Sequence, residues 1–334
     1  MRMCSTARHR LVAVVIVLCV AADVVAQQTA PQQQAAEQPQ AAGQQPILQQ
    51  PAVQQPVAPQ VPVGFQLNAL QQSALDAVLN SWQQKSATVS TFSCSFQRWE
   101  YDVVFGPKSK DKEIPLYKNV GELSYNKPDK GSFQITETNK WQEEPAPPGQ
   151  PPNAEKKGTW VKQPDAIGDH WVCDGKSVYQ YRPDLKQLVE HPIPPALQGQ
   201  GIADGPLPFL FGADAAKLKQ RYWMKLDQQQ NQDQNQIWII AMPKFQAQAA
   251  DFTEVDVILD AKALLPLYMQ VWMPNRSHHV YIFDIKNASV NNPLARIQAL
   301  FERPSVPFGW KRVVENIPLQ QATQPAPPPA VPPR

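Results

Sequence analysis

The 334-residue chain has little of what enzymes use to hold metals, activate nucleophiles or cradle phosphates: 5 His, 4 Cys and 14 Gly. No HExxH or Cys/His zinc spacing, GxSxG elbow, Walker loop or GxGxxG occurs in it. His278 and His279 are adjacent on an expected strand, so they point to opposite faces and cannot share one metal. Together with His170 and His191 they read as surface and edge residues. Among the carboxylates, Glu143-Glu144 sits in a proline-rich stretch, while Asp251, Glu254 and Asp256 read as a solvated strand face. The expectation is a non-enzyme with no cofactor, no metal and no catalytic residue.

Long apolar runs are also missing, apart from Leu11 to Val20, which is too short to span a bilayer comfortably. Arg2, Arg8 and Arg10 precede it and Val24-Val25-Ala26 follows, the pattern of a cleaved signal peptide over residues 1–26. Leu18 is not the small residue that a lipid-modified Cys19 would need before it. Residues 1–26 hold three Arg and Asp23, a net charge of +2, which is also the net charge of the whole chain. The remainder is therefore formally neutral, and no basic field is left to attract nucleic acid or an anionic membrane. Cys4 and Cys19 leave with the signal peptide. Cys94 and Cys173 stay, in a periplasmic or otherwise secreted setting that permits oxidation, as one disulfide or as two buried thiols.

What the chain has in abundance is segregated. Residues 27–63 hold 14 Gln and 7 Pro with Glu37 as their one charge, and residues 318–334 hold 7 Pro. Neither segment has enough apolar surface to offset its ordering entropy, so both read as disordered. All 29 aromatic residues lie between Phe65 and Trp310, which places one domain at residues 64–317.

That domain opens on a helix, with Leu75, Val78, Leu79 and Trp82 on one face. The period then changes to two. Phe92, Cys94 and Phe96 alternate with polar residues, as do Leu123 and Tyr125, and a return strand carries Phe133 and Ile135. Residues 142–158, with five prolines, read as a loop. Asp174-Gly175 marks a hairpin between Trp171-Val172-Cys173 and Ser177 to Tyr181, and Arg182-Pro183-Asp184 turns the chain into Gln187-Leu188-Val189. A short helix is expected at Ala213 to Arg221, followed by strands at 237–242, 253–259, 267–273 and 279–285. Short turns and few intervening helices imply an antiparallel sheet, so the fold class is mostly β (α+β), with helices against one face.

Several segments in order resemble the LolA-like family of half-barrel lipoprotein carriers. Thr91-Phe92-Ser93-Cys94-Ser95-Phe96-Gln97 is similar to its first strand, and Gly121-Glu122-Leu123-Ser124-Tyr125-Asn126-Lys127-Pro128 to its Gly-x-Leu…basic-Pro strand. Val172 to Pro183 resembles its Asp-Gly-Lys hairpin, Ile240 to Lys244 its Pro-Lys strand end, and Phe301 to Gly309 its closing segment. Lys127 stands where the family's carriers often have Arg, and keeps the charge without the two-pronged fork. The resemblance implies a curved half-barrel with helices on its concave face and an apolar cavity for lipid or lipoprotein acyl chains. The cavity candidates are Leu79, Trp82, Phe96, Leu123, Tyr125, Phe133, Ile135, Trp171, Tyr179 and Tyr181. Implied partners are a lipid or acylated protein and an envelope membrane protein. The alternative on the same fold is an envelope sensor or protein-interaction module.

Overall fold

The Leu75–Leu79–Trp82 stripe forms a helix that runs well beyond the stripe at both ends. The computed structural model describes residues 59–109, 112–145, 157–164, 166, 168–195, 198–199, 214–227, 235–292 and 298–315. The expected signal peptide, the Gln/Pro-rich segment up to residue 58, residues 146–156 and 228–234, and the proline-rich tail lie outside the described residues.

Helix α1 spans Ala69–Ala87. Asn68 starts it with a capping box: its Oδ1 accepts from the Gln71 N–H at 2.9 Å, and Gln71 Oε1 accepts from the Asn68 N–H at 3.0 Å. At the other end the Lys127 ammonium donates to the Ala87 carbonyl at 3.2 Å, so a cation sits at the negative end of the helix dipole. Asn291 clamps the link to the first strand. Its Oδ1 accepts from the Ser90 and Thr91 N–H groups, and its Nδ2 donates to the Thr88 carbonyl at 2.7 Å.

The strands follow in two runs. The first is β1 (Thr91–Tyr101), a small β2–β3 pair (Lys108–Ser109, Lys112–Glu113), β4 (Tyr117–Asn126), β5 (Lys130–Glu143), β6 (Gly158–Lys162), β7 (His170–Asp174), β8 (Ser177–Arg182) and β9 (Gln187–Pro192). Helix α2 (Ala215–Arg221), N-capped by Asp214, leads into β10 (Tyr222–Leu226) and β11 (Gln236–Pro243). After the short α3 (Gln246–Ala249) come β12 (Glu254–Asp260), β13 (Pro266–Trp272), β14 (His278–Phe283), β15 (Ser289–Val290) and β16 (Lys311–Val314).

One sheet takes them in the order β10-β11-β12-β13-β14-β1-β4-β5-β7-β8-β9-β16, with β15 on β1 and β6 on β5. β1 is thus the central seam on which two meanders meet. The result is a curved, open, mostly-β half-barrel. It departs from the antiparallel expectation at one edge, where β16 returns to pair parallel with β9. Local alternation carries no information about a partner so distant in the chain, so this pairing had no signature. β5 and β6 likewise extend to Glu143 and from Gly158 into what read as a loop.

The turn between β7 and β8 is positioned by its chemistry. Gly175 has φ +88°, and Asp174 Oδ1 accepts from the Lys176 and Ser177 N–H groups. That register sets Cys173 opposite Val178 and Val172 opposite Tyr179. No described helix is long and apolar enough to cross a membrane.

Candidate ligand-binding face

Period-two alternation, followed from strand to strand by register, assigns the inward side chains. On β1 these are Phe92, Cys94 and Phe96, opposite Tyr125, Leu123 and Gly121 of β4 and, from Phe96, Phe283 of β14. Phe133 lies opposite Leu123, and Met269, Val257 and Ile239 continue the face across β13, β12 and β11. Leu75, Leu79 and Trp82 of α1 close over these residues in one continuous core. A Cβ at Gly121 would strike the Phe96 ring and the Gln134 carbonyl, so the missing side chain makes room for that ring. Phe96 in turn stacks on Phe133 with centroids 4.8 Å apart and leans on Tyr281 at 6.1 Å.

Of the sequence candidates, Leu79, Trp82, Phe96, Leu123, Tyr125 and Ile135 belong to this core, and Phe133 packs against it. Trp171 is buried beside Phe133 on the neighbouring strand. Tyr179 and Tyr181 do not belong. They form a separate cluster with Val172 and Leu188 on the opposite face. The Gly175 turn fixes this: with Cys173 facing Val178, the odd-numbered tyrosines must face outward with Val172. Tyr181 stacks on His170 there, and the Tyr179 hydroxyl donates to Asp174.

Cys94 and Cys173 are both buried free thiols. Their strands are separated by β4 and β5, so the side chains lie about 14 Å apart across the sheet, far beyond disulfide reach. Burial pushes both thiols up to about 12. Lys127 is occupied with the α1 carbonyl end.

The concave face is not apolar throughout. The same parity that buries Phe92, Cys94 and Phe96 continues into Arg98 and Glu100, and this is the signal that sequence reasoning missed. The Arg98 guanidinium is buried between Glu100 Oε1 at 2.7 Å and Asp169 Oδ2 at 2.6 Å. Asn119 Nδ2 donates to Glu100 at 2.6 Å, and His279 Nε2 stands 4.0 Å from the other Glu100 oxygen. Burial, the largest single influence, opposes ionisation of Glu100, but Arg98, His279 and the Asn119 hydrogen bond together outweigh it and hold the carboxyl below its ordinary range. Burial, helped by Arg98, pushes the His279 imidazole down to about 4. Among the described residues, Arg98 Nε and His279 Nδ1 are buried without a hydrogen-bond partner.

The histidines therefore depart from the surface reading: His278 is 5% and His279 3% exposed, on an interior strand. His278 faces the other way, stacked on Tyr101 and tilted against Trp272. The acidic strand face is also half-buried rather than solvated. Trp272 donates to Asp256, and burial pushes Asp251 up to about 6 and Glu254 to about 7. Among the described residues no group of three or more His, Cys, Asp or Glu is placed to hold a metal.

The fold and this face define the class: a half-barrel whose apolar concave face packs against α1 and α2 and is bordered by a buried polar cluster. No protein-family model and no curated protein matches the chain. Among solved structures it is similar to an uncharacterized conserved protein from Thermus thermophilus, at 10% identity over 73% of this chain and 100% of that one, with a TM-score of 0.37. A LolA superfamily protein from Nitrosomonas europaea aligns at 9% identity over 67% of this chain and 97% of its own, with a TM-score of 0.29. The Pseudomonas aeruginosa MucA/MucB complex aligns at 9% identity over 69% of this chain and 61% of that one, with a TM-score of 0.32. One of these names is the superfamily whose motifs the sequence resembles. At such identities and TM-scores the alignments themselves carry no argument about this chain.

Proposed function

We propose that the chain is an exported, non-catalytic carrier or binder of lipid or lipoprotein acyl chains, which lie on the concave face beneath α1. The observation that carries this reading is the continuity of that face from β10 to β5 under a cover that buries only Leu75, Leu79 and Trp82 fully. Exposing those three side chains costs roughly 5–9 kcal/mol. A 16-carbon chain offers on the order of 12 kcal/mol gross, so an acyl ligand can offset displacement of the helix. Polar links tie α1 to α2 along its length and to the sheet at its C-terminal end. Lys219 pairs with Asp76, Gln83 accepts from the Ala215 N–H, and Asn291 and Lys127 hold the C-terminal end.

The test is a substitution pair on opposite faces. Phe133→Asp puts a charge on the proposed site and is expected to weaken binding of a fluorescent acyl probe at least tenfold. Tyr179→Asp, on the other face, is expected to leave the affinity of the folded protein unchanged. The reverse pattern would move the site to the convex face.

A second reading, an envelope sensor or protein-interaction module, is favoured by one observation. At the β16 edge Val314, Leu185 of the neighbouring turn and the fully exposed Phe308 present apolar side chains to solvent. Crosslinking through this edge to an envelope membrane protein, with no acyl binding, would support it.

A further inference from the structure

The Arg98 cluster lies at a boundary. Phe96, two residues before Arg98 on the same strand and face, is deep in the apolar core, whereas the Asp169 side chain is 34% exposed. From Arg98 back to Phe92 the inner face of β1 runs about 20 Å, comparable to an extended 16-carbon chain. A linear amphiphile lying along that strand would set its polar end at Arg98.

Two buried nitrogens there have no partner among the described residues, Arg98 Nε and His279 Nδ1. The guanidinium Nε–H can only donate and therefore suits an oxygen acceptor, whereas His279 turns Nε2 toward the Glu100 carboxylate, so the neutral ring keeps its proton there and Nδ1 accepts. The charges decide which oxygen. One guanidinium already stands against two carboxylates, Glu100 and Asp169, and His279 adds no charge near neutral pH. A further anion would enter a cluster that is already net negative, while a neutral carbonyl brings an acceptor without a charge.

We propose that the Arg98–His279 cluster is a head subsite that receives the carbonyl oxygen of an ester- or amide-linked acyl chain, and discriminates against free fatty acids. The assignment rests on the acyl-binder reading above and adds the chemical class of the ligand's polar end.

The experiment uses the full chain as secreted and the neutral probe N-phenyl-1-naphthylamine, displaced in turn by methyl palmitate, N-palmitoylglycinamide and palmitate at pH 7.5. Displacement by the ester or the amide at a concentration about tenfold lower than by palmitate is expected, as one hydrogen bond gained and one charge repelled would give. Preference for the ester points to a lipid source, and preference for the amide to an acylated protein. Carbonyl-labelled methyl palmitate supplies a readout independent of any variant: its infrared carbonyl band is expected to shift to lower frequency on binding. Arg98→Lys keeps the charge but removes the Nε donor, and is expected to shrink the advantage of ester and amide over palmitate severalfold without abolishing it, while retaining probe binding. His279→Leu removes an acceptor that only the amide N–H can use, and is expected to weaken displacement by the amide alone. Equal displacement by all three ligands with an unshifted carbonyl band would overturn the head subsite yet keep the acyl-binder reading. Failure of the probe and of every ligand to bind would overturn both.

Discussion

Arg98 on β1 and Asp169, just before β7, are joined at 2.6 Å although β4 and β5 lie between their strands. The guanidinium spans the concave face and ties the central seam to one wing of the half-barrel. Its other partner, Glu100, is buried with it. Arg98→Met leaves the buried Glu100 without its cation and is expected to cost about 3–5 kcal/mol. Asp169→Asn removes the partner that reaches solvent and is expected to cost about 1 kcal/mol. Urea denaturation of both variants checks the order, and equal losses would contradict it.

His279 and Glu254 give stability opposite slopes with pH. The folded chain holds His279 at about 4 instead of its ordinary 6.5, so between these values the unfolded chain takes a proton that the folded one refuses. Stability from this group is complete above pH 6.5 and falls as pH drops toward 4, by on the order of 3 kcal/mol. Glu254 is raised by burial, then by Asp256, from 4.5 to about 7, so its penalty grows as pH rises through that interval. Denaturation midpoints from about pH 4 to 7 are expected to lose their acid-side decline in His279→Leu. They are expected to gain stability toward about pH 7 in Glu254→Gln. Curves parallel to the parent protein would contradict both assignments.

The thiols offer a direct chemical count. Cys94 and Cys173 are buried, and burial suppresses the thiolate that reacts. Protein lacking residues 1–26 is expected to ignore Ellman's reagent when folded at about pH 8. Once unfolded without reductant, it is expected to release two equivalents. No release on unfolding would restore the disulfide.

These residues also mark where sequence reasoning reaches and where it stops. The alternation Phe92-Cys94-Phe96 places β1 and its inward face, and Asp174-Gly175 places the β7–β8 turn, because a strand's period and a turn's φ requirement are local properties. Carried two steps further, the same alternation puts Arg98 and Glu100 inside. They escape notice because an apolar pattern is sought through apolar residues. Tyr179 falls on the wrong face for a related reason: aromatic residues pooled by size lose the turn register, which alone decides their face. Burial of His279 is not legible at all, since it depends on β14 pairing with β1, far earlier in the chain. The Cys94–Cys173 separation likewise depends on which strands intervene.

An acyl chain held on the concave face under α1 would travel with the protein. Gentle native mass spectrometry of the chain recovered from the cells that make it, followed by organic extraction of what accompanies it, tests this. The predicted result is a stoichiometric adduct that extracts as a lipid or an acylated peptide, or, from stripped protein, one adduct per chain on adding methyl palmitate. A bare protein mass that stays unchanged when methyl palmitate is added would contradict it.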